Sequence, residues 1–186
     1  MPAVNNQGYS YDVAANGFPT QAQCPANTYG PGLRKQRACV PCPPGYITLG
    51  AKSKKASACI VPAGYYLKGP GQVAPCPKGE YKKDTGAAAS CSKCAAGVTT
   101  LKEASTDETA CNILLPTFYA FELTAGIVKS TKKCPQKYYC PGGTPAAAFD
   151  PTSSTPSDGD AATIIKCSSG LWTENIGASS ANQCSE

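Results

Sequence analysis

Two stretches of the chain carry the same ladder of cysteines. They are CPANTYGPGLRKQRACVPCPPGYITLGAKSKKASAC at 24–59 and CPKGEYKKDTGAAASCSKCAAGVTTLKEASTDETAC at 76–111. In both ladders the four cysteines are separated by 14, 2 and 16 residues, and each cysteine of the second lies 52 positions after its counterpart. A fixed period of this length indicates tandem copies of one small structural unit. The sequence therefore predicts a cysteine-rich repeat protein.

Each ladder divides into two half-modules of 16 to 18 residues, and the second half-module has a third copy, CSSGLWTENIGASSANQC, at 167–184. In all three copies a glycine follows the cysteine by three residues and a threonine follows it by six. The glycines predict turns that need a positive φ or a close backbone approach, and the threonines predict short strands. These residues are Gly45, Gly97 and Gly170, with Thr48, Thr100 and Thr173.

The spacing also favours disulfides that close each half-module. An even number of cysteines at this density is typical of an oxidising compartment. The predicted bridges are Cys24–Cys39, Cys42–Cys59, Cys76–Cys91, Cys94–Cys111 and Cys167–Cys184, which leaves Cys134–Cys140. A bridge over about 16 residues contributes about 3 kcal/mol in the chain-entropy model. A crossed pattern within each four-cysteine ladder is the alternative, because sequence does not fix connectivity.

The CxxC pairs at 39–42 and 91–94 could instead bind zinc or carry redox chemistry. The 48 residues between the pairs, with four further cysteines in and beside that gap, disfavour a shared zinc site. A redox CxxC should open a helix after a strand, and the flanking sequence does not resemble one. We therefore predict no metal and no other cofactor.

The composition disfavours an ordinary apolar core and an enzyme. The 186 residues include 18 glycines, 17 prolines and no histidine. Small units that cannot fill a core use disulfides or metals instead. Without histidine, Ser-His and Cys-His catalysis are excluded. The carboxylates of Glu103, Asp107 and Glu108 are interpreted as a solvated polar turn rather than a catalytic pair. We expect that the protein is not an enzyme.

Charge and hydropathy give no sign of a nucleic-acid partner or a membrane span. The net charge is +5, only two arginines are present, and no nucleic-acid motif occurs. No stretch approaches the ~20 apolar residues that a membrane helix needs. The start of the chain also lacks the apolar region of a signal peptide. We therefore expect a piece of a longer, secreted protein.

Two segments lie outside the ladders. Residues 1–23 contain no cysteine, and we expect an arm or linker that becomes ordered only against a partner, for example as an added strand. The segment 150–160 is rich in Pro, Ser and Thr and predicts an exposed insertion. O-linked glycans are predicted there, with a bare loop as the alternative. The acceptors would be Thr152, Ser153, Ser154, Thr155 and Ser157.

Aromatic pairs occur at 65–66, 118–119 and 138–139, near the junctions between modules. We predict that their rings cover the disulfides of neighbouring half-modules while their hydroxyls stay in water. A ligand-binding stripe is the alternative. Because repeat units commonly cover an exposed face with the next unit, we also predict self-association through neighbouring repeats or through copies of the chain.

Three runs resemble the ephrin-receptor-like cysteine-rich repeat: CPKGEYKKDTGAAASCSKCAAGVTT at 76–100, CPQKYYCPGGTP at 134–145 and GLWTENIGASSANQC at 170–184. The resemblance covers roughly residue 24 to the last residue. In style the sequence is similar to cysteine-rich proteins of green algae, including proteins similar to the mastigoneme subunit of flagellar hairs. The resemblance implies an extracellular, glycosylated fibre or coat component at the cell or flagellar surface. Ciliate immobilisation antigens are similar in style.

The predicted fold class is small and disulfide-rich, with tandem cysteine-rich modules, short β-hairpins and irregular loops in an elongated rod. The modules are assigned to 24–75, 76–133 and 134–186, after an N-terminal arm or linker at 1–23. The predicted function is that of a structural building block of an extracellular filament or surface coat. A receptor-type ligand-binding module or a ciliate-type surface antigen is the alternative.

Overall fold

A computed structural model of the protein describes residues 7–13, 19–32, 38–146 and 163–186. The chain forms two compact units, one from residues 1–75 with 84–90 and the other from 76–83 with 91–186. In the described residues the regular structure consists of two-stranded antiparallel sheets and short 3-10 turns, without an α-helix. The prediction of a small disulfide-rich β fold is confirmed. The described part contains no helix of the length and hydropathy that a membrane crossing requires.

Among its described residues the first unit has three hairpins and one 3-10 turn, and every strand there pairs with its neighbour in sequence. Its elements are β1 (Tyr9–Val13), β2 (Pro19–Gln23), β3 (Thr28–Tyr29), β4 (Val40–Pro41), the 3-10 turn Ala56–Ala58, β5 (Tyr65–Gly69) and β6 (Gln72–Pro75).

In the second unit, the described ranges 76–83, 91–146 and 163–186 form five hairpins with the same nearest-neighbour pairing. Its longest hairpin joins two strands of seven residues. Its elements are β7 (Glu80–Tyr81), β8 (Ser92–Lys93), β9 (Val98–Thr100), the 3-10 turn Glu108–Ala110, β10 (Cys111–Leu114), β11 (Phe118–Thr124), β12 (Ile127–Lys133), β13 (Tyr138–Tyr139), β14 (Ile165–Lys166), β15 (Trp172–Thr173), the 3-10 turn Ala181–Gln183 and β16 (Cys184–Ser185).

One tight turn recurs throughout the described chain. In each copy a backbone N–H donates to the carbonyl three residues earlier, and the third residue has a positive φ, as in a type II turn. The three glycines predicted to need a positive φ are at this position, which confirms the prediction. The copies span 25–28, 43–46, 62–65, 77–80, 95–98, 115–118, 135–138 and 168–171.

The 52-residue period is also present in the backbone hydrogen bonds. In each of the two ladders, and in a third that is formed by Cys134, Cys140, Cys167 and Cys184, a loop after the repeated threonine folds back. A backbone N–H of this loop donates to the carbonyl of the ladder's first cysteine. The residue that donates has a positive φ in all three ladders. The bond joins Lys52 to Cys24, Ala104 to Cys76 and Gly177 to Cys134, at 2.9, 2.8 and 2.7 Å. Two of these residues are not glycine, so sequence alone gave no indication of their conformation.

The predicted threonines hold this loop in the first two ladders. Thr100 is 1% exposed, and its Oγ1 accepts from Gly79 N at 3.1 Å and donates to Lys102 O at 2.8 Å. Thr48 makes the equivalent bonds. Thr173 is also 1% exposed, but its Oγ1 has no hydrogen-bond partner among the described residues. The strand prediction is confirmed for Thr100 in β9 and Thr173 in β15, while Thr48 lies in no strand and follows Ile47, which forms an isolated bridge with Ile60.

All twelve cysteines lie in the described residues and all are in disulfides. Five of the six bridges are the local pairs that the spacing favoured, and the sixth is the pair that was left over, Cys134–Cys140. The five are Cys24–Cys39, Cys42–Cys59, Cys76–Cys91, Cys94–Cys111 and Cys167–Cys184. Since every sulfur is bridged, none is present as a thiolate that could bind zinc.

The bridge Cys134–Cys140 spans 6 positions, against 15 for the bridge that closes the first half of each other ladder. Geometry in the first ladder explains how so short a bridge forms. A Cβ on Gly30, six residues after Cys24, would lie 2.9 Å from the Cys24 sulfur. The position six residues after the first cysteine therefore faces that cysteine, and the third ladder has its second cysteine there.

Part of the cysteine-free N-terminal segment is ordered by the chain itself. Strand β1 pairs with β2 in register from Tyr9–Gln23 to Val13–Pro19. Gly8 N donates to Gly30 O at 2.8 Å, and Cys24 N donates to Gly8 O at 2.9 Å. The prediction that this segment orders only against a partner is wrong for these residues, because the hairpin and the first ladder satisfy its backbone groups.

Candidate interaction surfaces

The hairpin β11–β12 packs on the turn of the second half-module that precedes it. A Cβ on Gly97 would lie 2.6 Å from ring atoms of Phe118, so only glycine fits under this ring. Thr131 Oγ1 donates to Ala96 O at 2.6 Å, and Leu115 N donates to Gly97 O at 2.8 Å. We call the side of this turn that the hairpin contacts, formed by the glycine and the residue before it, the turn-glycine site.

The first ladder has the same contact with a different side chain. A Cβ on Gly45 would lie 2.6 Å from Val73 Cβ, and Val73 belongs to strand β6 of the hairpin that follows this ladder. Val73 and Thr131 occupy the same position, each two residues before the last residue of the second strand. The contact between a turn-glycine site and the following hairpin is therefore a repeating feature of the chain.

The third turn-glycine site, at Gly170, is open. No heavy atom of the described residues lies within 4 Å of a Cβ built on Gly170. Ser168 and Ser169 are exposed, and Trp172, two residues after the glycine, is 51% exposed. The sequence predicted the glycine as a turn residue but gave no signal that its other copies are contact sites.

Three rings of the predicted aromatic pairs lie against disulfides of the chain. Tyr119 and Tyr138 pack in a cluster with Cys134 and Cys140, together with Ile164. Phe118 packs in a second cluster with Cys94, Cys111 and Leu114. The prediction that aromatic rings cover the disulfide of a neighbouring half-module is confirmed for Phe118 and Tyr119, whereas Tyr138 packs on the bridge of its own half-module. Burial raises the pKa of Tyr119 above its usual value.

Lysines of the hairpins lie over aromatic faces. Lys133 Nζ is 4.0 Å from the ring centroid of Phe118, and Lys132 Nζ is 3.2 Å from that of Phe121. A cation over a ring face is attracted by the ring's quadrupole. These lysines therefore help to hold the rings of Phe118 and Phe121 in place.

The loop after the conserved threonine presents an exposed leucine in two ladders. Leu49 is 82% exposed, and Leu101, 52 positions later, is 75% exposed. Single exposed leucines are common on protein surfaces, but here the exposure recurs at the same position of the repeat. Leu49 lines a shallow depression that also includes Lys52, Lys54 and Ile60. This loop is a second candidate contact surface.

The predicted polar turn is present around the second ladder's 3-10 turn. Asp107 caps it by accepting from Thr109 N at 2.9 Å, and hydrogen bonds from the Thr109 backbone and side chain hold the pKa of Asp107 below its usual value. Glu108 forms an exposed ion pair with Lys129 at 2.7 Å.

The prediction of O-glycans on Thr152, Ser153, Ser154, Thr155 and Ser157 falls outside the described residues.

A family model described as tyrosine-protein kinase ephrin type A/B receptor-like matches residues 64–111. This stretch is an ephrin-receptor-like cysteine-rich module. The match starts before Cys76, at the glycine that precedes β5, so it includes the hairpin β5–β6 together with the ladder that follows. No curated protein matches the chain. A disulfide-rich module of this kind indicates an extracellular or surface location.

Proposed function

We propose that this chain is a non-enzymatic building block of an extracellular filament or surface coat. The observation that carries the proposal is the contact between a turn-glycine site and the following hairpin, which the chain makes at Gly45 and at Gly97. Arrays of repeats are held together by contacts of this neighbour-to-neighbour kind. By the bounds of the family match, which groups the hairpin β5–β6 with the ladder that follows it, the contact at Gly45 joins one module to the next. A surface of this kind is also suited to join modules of different copies.

The disulfides of the modules suit a structural component that carries mechanical load. Six disulfides close short loops along the chain, and each such bridge contributes about 2–4 kcal/mol to stability. The stability of a module therefore depends little on a large apolar core. A fibre of the mastigoneme type is the specific form that the resemblance to green-algal proteins suggests, and it remains a proposal.

The test is the assembly state of the purified, fully oxidised chain in the absence of any ligand. Sedimentation velocity over a range of concentrations should show stepwise oligomers, and negative-stain images should show linear assemblies. A reduced and alkylated sample is the control, because loss of the bridges should abolish assembly. A chain that stays monomeric at its highest soluble concentration contradicts the proposal.

Glycosylation of the insertion is part of the same proposal. The acceptors would be the hydroxyls of residues 152–155 and 157, in a run whose composition suits O-linked glycans. Mass spectrometry of the peptide spanning this run, taken from native material, should show hexose or pentose increments. An unmodified mass in native material would contradict this part of the proposal.

A receptor-type ligand-binding module is the second candidate, and the exposed loop at Leu49 favours it. A leucine that is 82% exposed beside Lys52 and Lys54 could contact an acidic or mixed protein surface. If this candidate is correct, the chain should be monomeric, and Leu49→Ser should weaken binding of a defined soluble ligand without changing stability. Ligand-free assembly that is unchanged by Leu49→Ser favours the structural role instead.

A further inference from the structure

We infer that the loop at residues 49–55 of the first ladder binds an acidic polysaccharide. We call this loop, which contains Lys52, Lys54 and Lys55, the basic loop. The inference goes beyond the proposed function, because a chain can bind a polysaccharide whether or not it assembles with other copies. It starts from a difference in charge between loops that have the same backbone structure.

The first compact unit, residues 1–75 with 84–90, is strongly basic. Its sequence has seven Lys and Arg residues against two acidic residues, Asp12 and Asp84, which gives a net charge of +5. The second unit has ten basic and ten acidic residues and is neutral. A surface of one charge sign attracts ligands of the opposite sign and speeds their association, over about 8 Å at physiological ionic strength.

The equivalent loops of the other two ladders are not basic. Positions 49–55 have a net charge of +3, whereas 101–107 and 174–180 each have a net charge of −1. The three backbones are nevertheless held in the same way, because in each loop a residue of positive φ donates to the carbonyl of the ladder's first cysteine. In the second ladder the places of the three lysines are taken by Ala104, Thr106 and Asp107. The fold of the loop therefore does not need the lysines, and a role toward a partner accounts for them.

The basic loop presents its charges from a fixed backbone. The bridge Cys42–Cys59 closes the half-module that contains the loop. Thr48 Oγ1 donates to Gly50 O at 2.7 Å, and Lys52 N donates to Cys24 O at 2.9 Å. Because these bonds already order the backbone, binding an anion there loses little conformational entropy.

The three lysines of the basic loop have no anionic partner in the described part of the chain. Their side chains are exposed, and none forms an ion pair with a carboxylate of the described residues. The other residues of the first unit, at 1–6, 14–18 and 33–37, include no Asp or Glu in their sequence. A sulfate or carboxylate group of a ligand therefore does not have to displace a carboxylate of this unit.

The kind of basic residue favours a polysaccharide over a protein. Among the described residues of the first unit every basic residue is a lysine. Lysine is depleted in protein–protein interfaces, where arginine and aromatic residues are enriched. Its ammonium is a point charge on a flexible stem, which adapts to anions at varied positions. An acidic polysaccharide carries such anions, as sulfate esters or as carboxylates, at repeated intervals along an extended chain.

Apolar side chains next to the lysines fit the same ligand. Leu49 is 82% exposed, and with Ile60 it lines the shallow depression that also includes Lys52 and Lys54. A sugar ring has C–H faces that can bury apolar surface against such side chains. Its anionic groups would then lie within reach of the ammonium groups at the edge of the depression.

The test compares two double variants of the full chain. Lys54→Thr with Lys55→Asp introduces the residues that the second ladder has at these positions, so the same backbone accepts them. The matched control is Lys78→Thr with Lys83→Asp, which makes the same changes at two exposed lysines of the second unit. The two variants have the same net charge and differ only in where the charge is lost.

The probes are fluorescently labelled dextran sulfate and polygalacturonate, with neutral dextran and poly-glutamate for comparison. Binding is followed by fluorescence anisotropy in about 50 and about 200 mM NaCl. The wild-type chain should bind an acidic polysaccharide, more weakly at the higher salt concentration. The dissociation constant should rise about tenfold in the basic-loop variant and less than about twofold in the control. Binding of dextran sulfate alone would assign sulfate esters as the ligand groups, and binding of polygalacturonate alone would assign carboxylates.

Three results would overturn the inference: no binding of either acidic polysaccharide, equal losses in the two variants, or binding of neutral dextran or poly-glutamate that is as tight. Sedimentation velocity of the same samples separates this inference from the proposed function. A monomeric chain that binds the polysaccharide contradicts only the proposed function, and an assembling chain that does not bind contradicts only the inference. The thermal midpoint checks folding, and if the double variant is unfolded, Lys54→Thr alone, with an expected loss of about threefold, decides.

Discussion

Replacing Thr100 by valine tests whether the hydroxyl of the conserved threonine, rather than its shape, holds the loop of each ladder. Valine keeps the branched side chain but removes the oxygen that accepts from Gly79 N and donates to Lys102 O. The lost donation matters little, because Lys102 is exposed and its carbonyl also accepts from Ser105. The unpaired Gly79 N–H should cost about 1–3 kcal/mol.

Thr173→Val is the matched control. Thr173 is as buried as Thr100, but its hydroxyl has no partner among the described residues. A buried hydroxyl without a hydrogen bond is itself unfavourable by about 1–3 kcal/mol. Removing it should leave the free energy of unfolding unchanged or raise it by about 1 kcal/mol. The two substitutions should therefore differ in effect by about 1–4 kcal/mol even though their chemistry is identical.

The assay is urea unfolding of the oxidised chain combined with hydrogen exchange of individual amides. Exchange is needed because a chain with two compact units need not unfold in one step. In Thr100→Val the Gly79 amide should lose protection, and Thr48→Val should do the same to the Asn27 amide. Equal losses of stability in Thr100→Val and Thr173→Val would refute the reasoning, because the effect would then come from strand propensity or packing.

Three further predictions concern the backbone and the bridges. Gly97→Ala should destabilise by about 2–4 kcal/mol, because a Cβ there meets an aromatic ring at 2.6 Å in addition to the strain of a positive φ. Gly126→Ala has the strain without the contact and should cost about 1–2 kcal/mol by thermal unfolding. Ala104→Gly should stabilise by about 0.5–1 kcal/mol, measured in the same way, because alanine is strained at its φ of +55°. Replacing Cys134 and Cys140 together by alanine should cost about 2.4 kcal/mol in urea unfolding, less than the ~3 kcal/mol of a 16-residue loop. A loss of stability as large as that of a 16-residue loop, or larger, would contradict the chain-entropy model.

Repetition made much of the fold predictable. The equal spacing of cysteines in two ladders favoured local bridges, and the recurrence of glycine at one offset predicted Gly45, Gly97 and Gly170 as turn residues with positive φ. Each inference depended on the same residue returning at the same place. Short hairpins were predictable because each half-module has too few residues for longer strands.

The sequence failed where the backbone conformation recurs but the residue does not. Thr117 and Lys137 adopt positive φ in the common turn, at +79° and +71°, without being glycine. Because Thr117 is not a glycine, no residue pattern aligned the start of the hairpin β11–β12 with the start of β1–β2 in the cysteine-free N-terminal segment. The hairpin β1–β2 was missed for this reason. The contact at Gly97 was missed because it needs the position of Phe118, 21 residues away, in three dimensions.

The short bridge Cys134–Cys140 changes which part of the third ladder is free to vary in length. In the first two ladders the stretch from the first to the second cysteine lies inside a covalent ring, so an insertion there would enlarge the ring. In the third ladder the ring closes after 6 positions. The 26 residues between Cys140 and Cys167 then lie outside every ring, attached by the hydrogen bonds between Gly143 and Leu114 and by the pairing of β13 with β14. A stretch outside every ring can accept added sequence at little entropic cost, which makes it the natural place to graft an affinity tag or a fluorescent domain onto the protein.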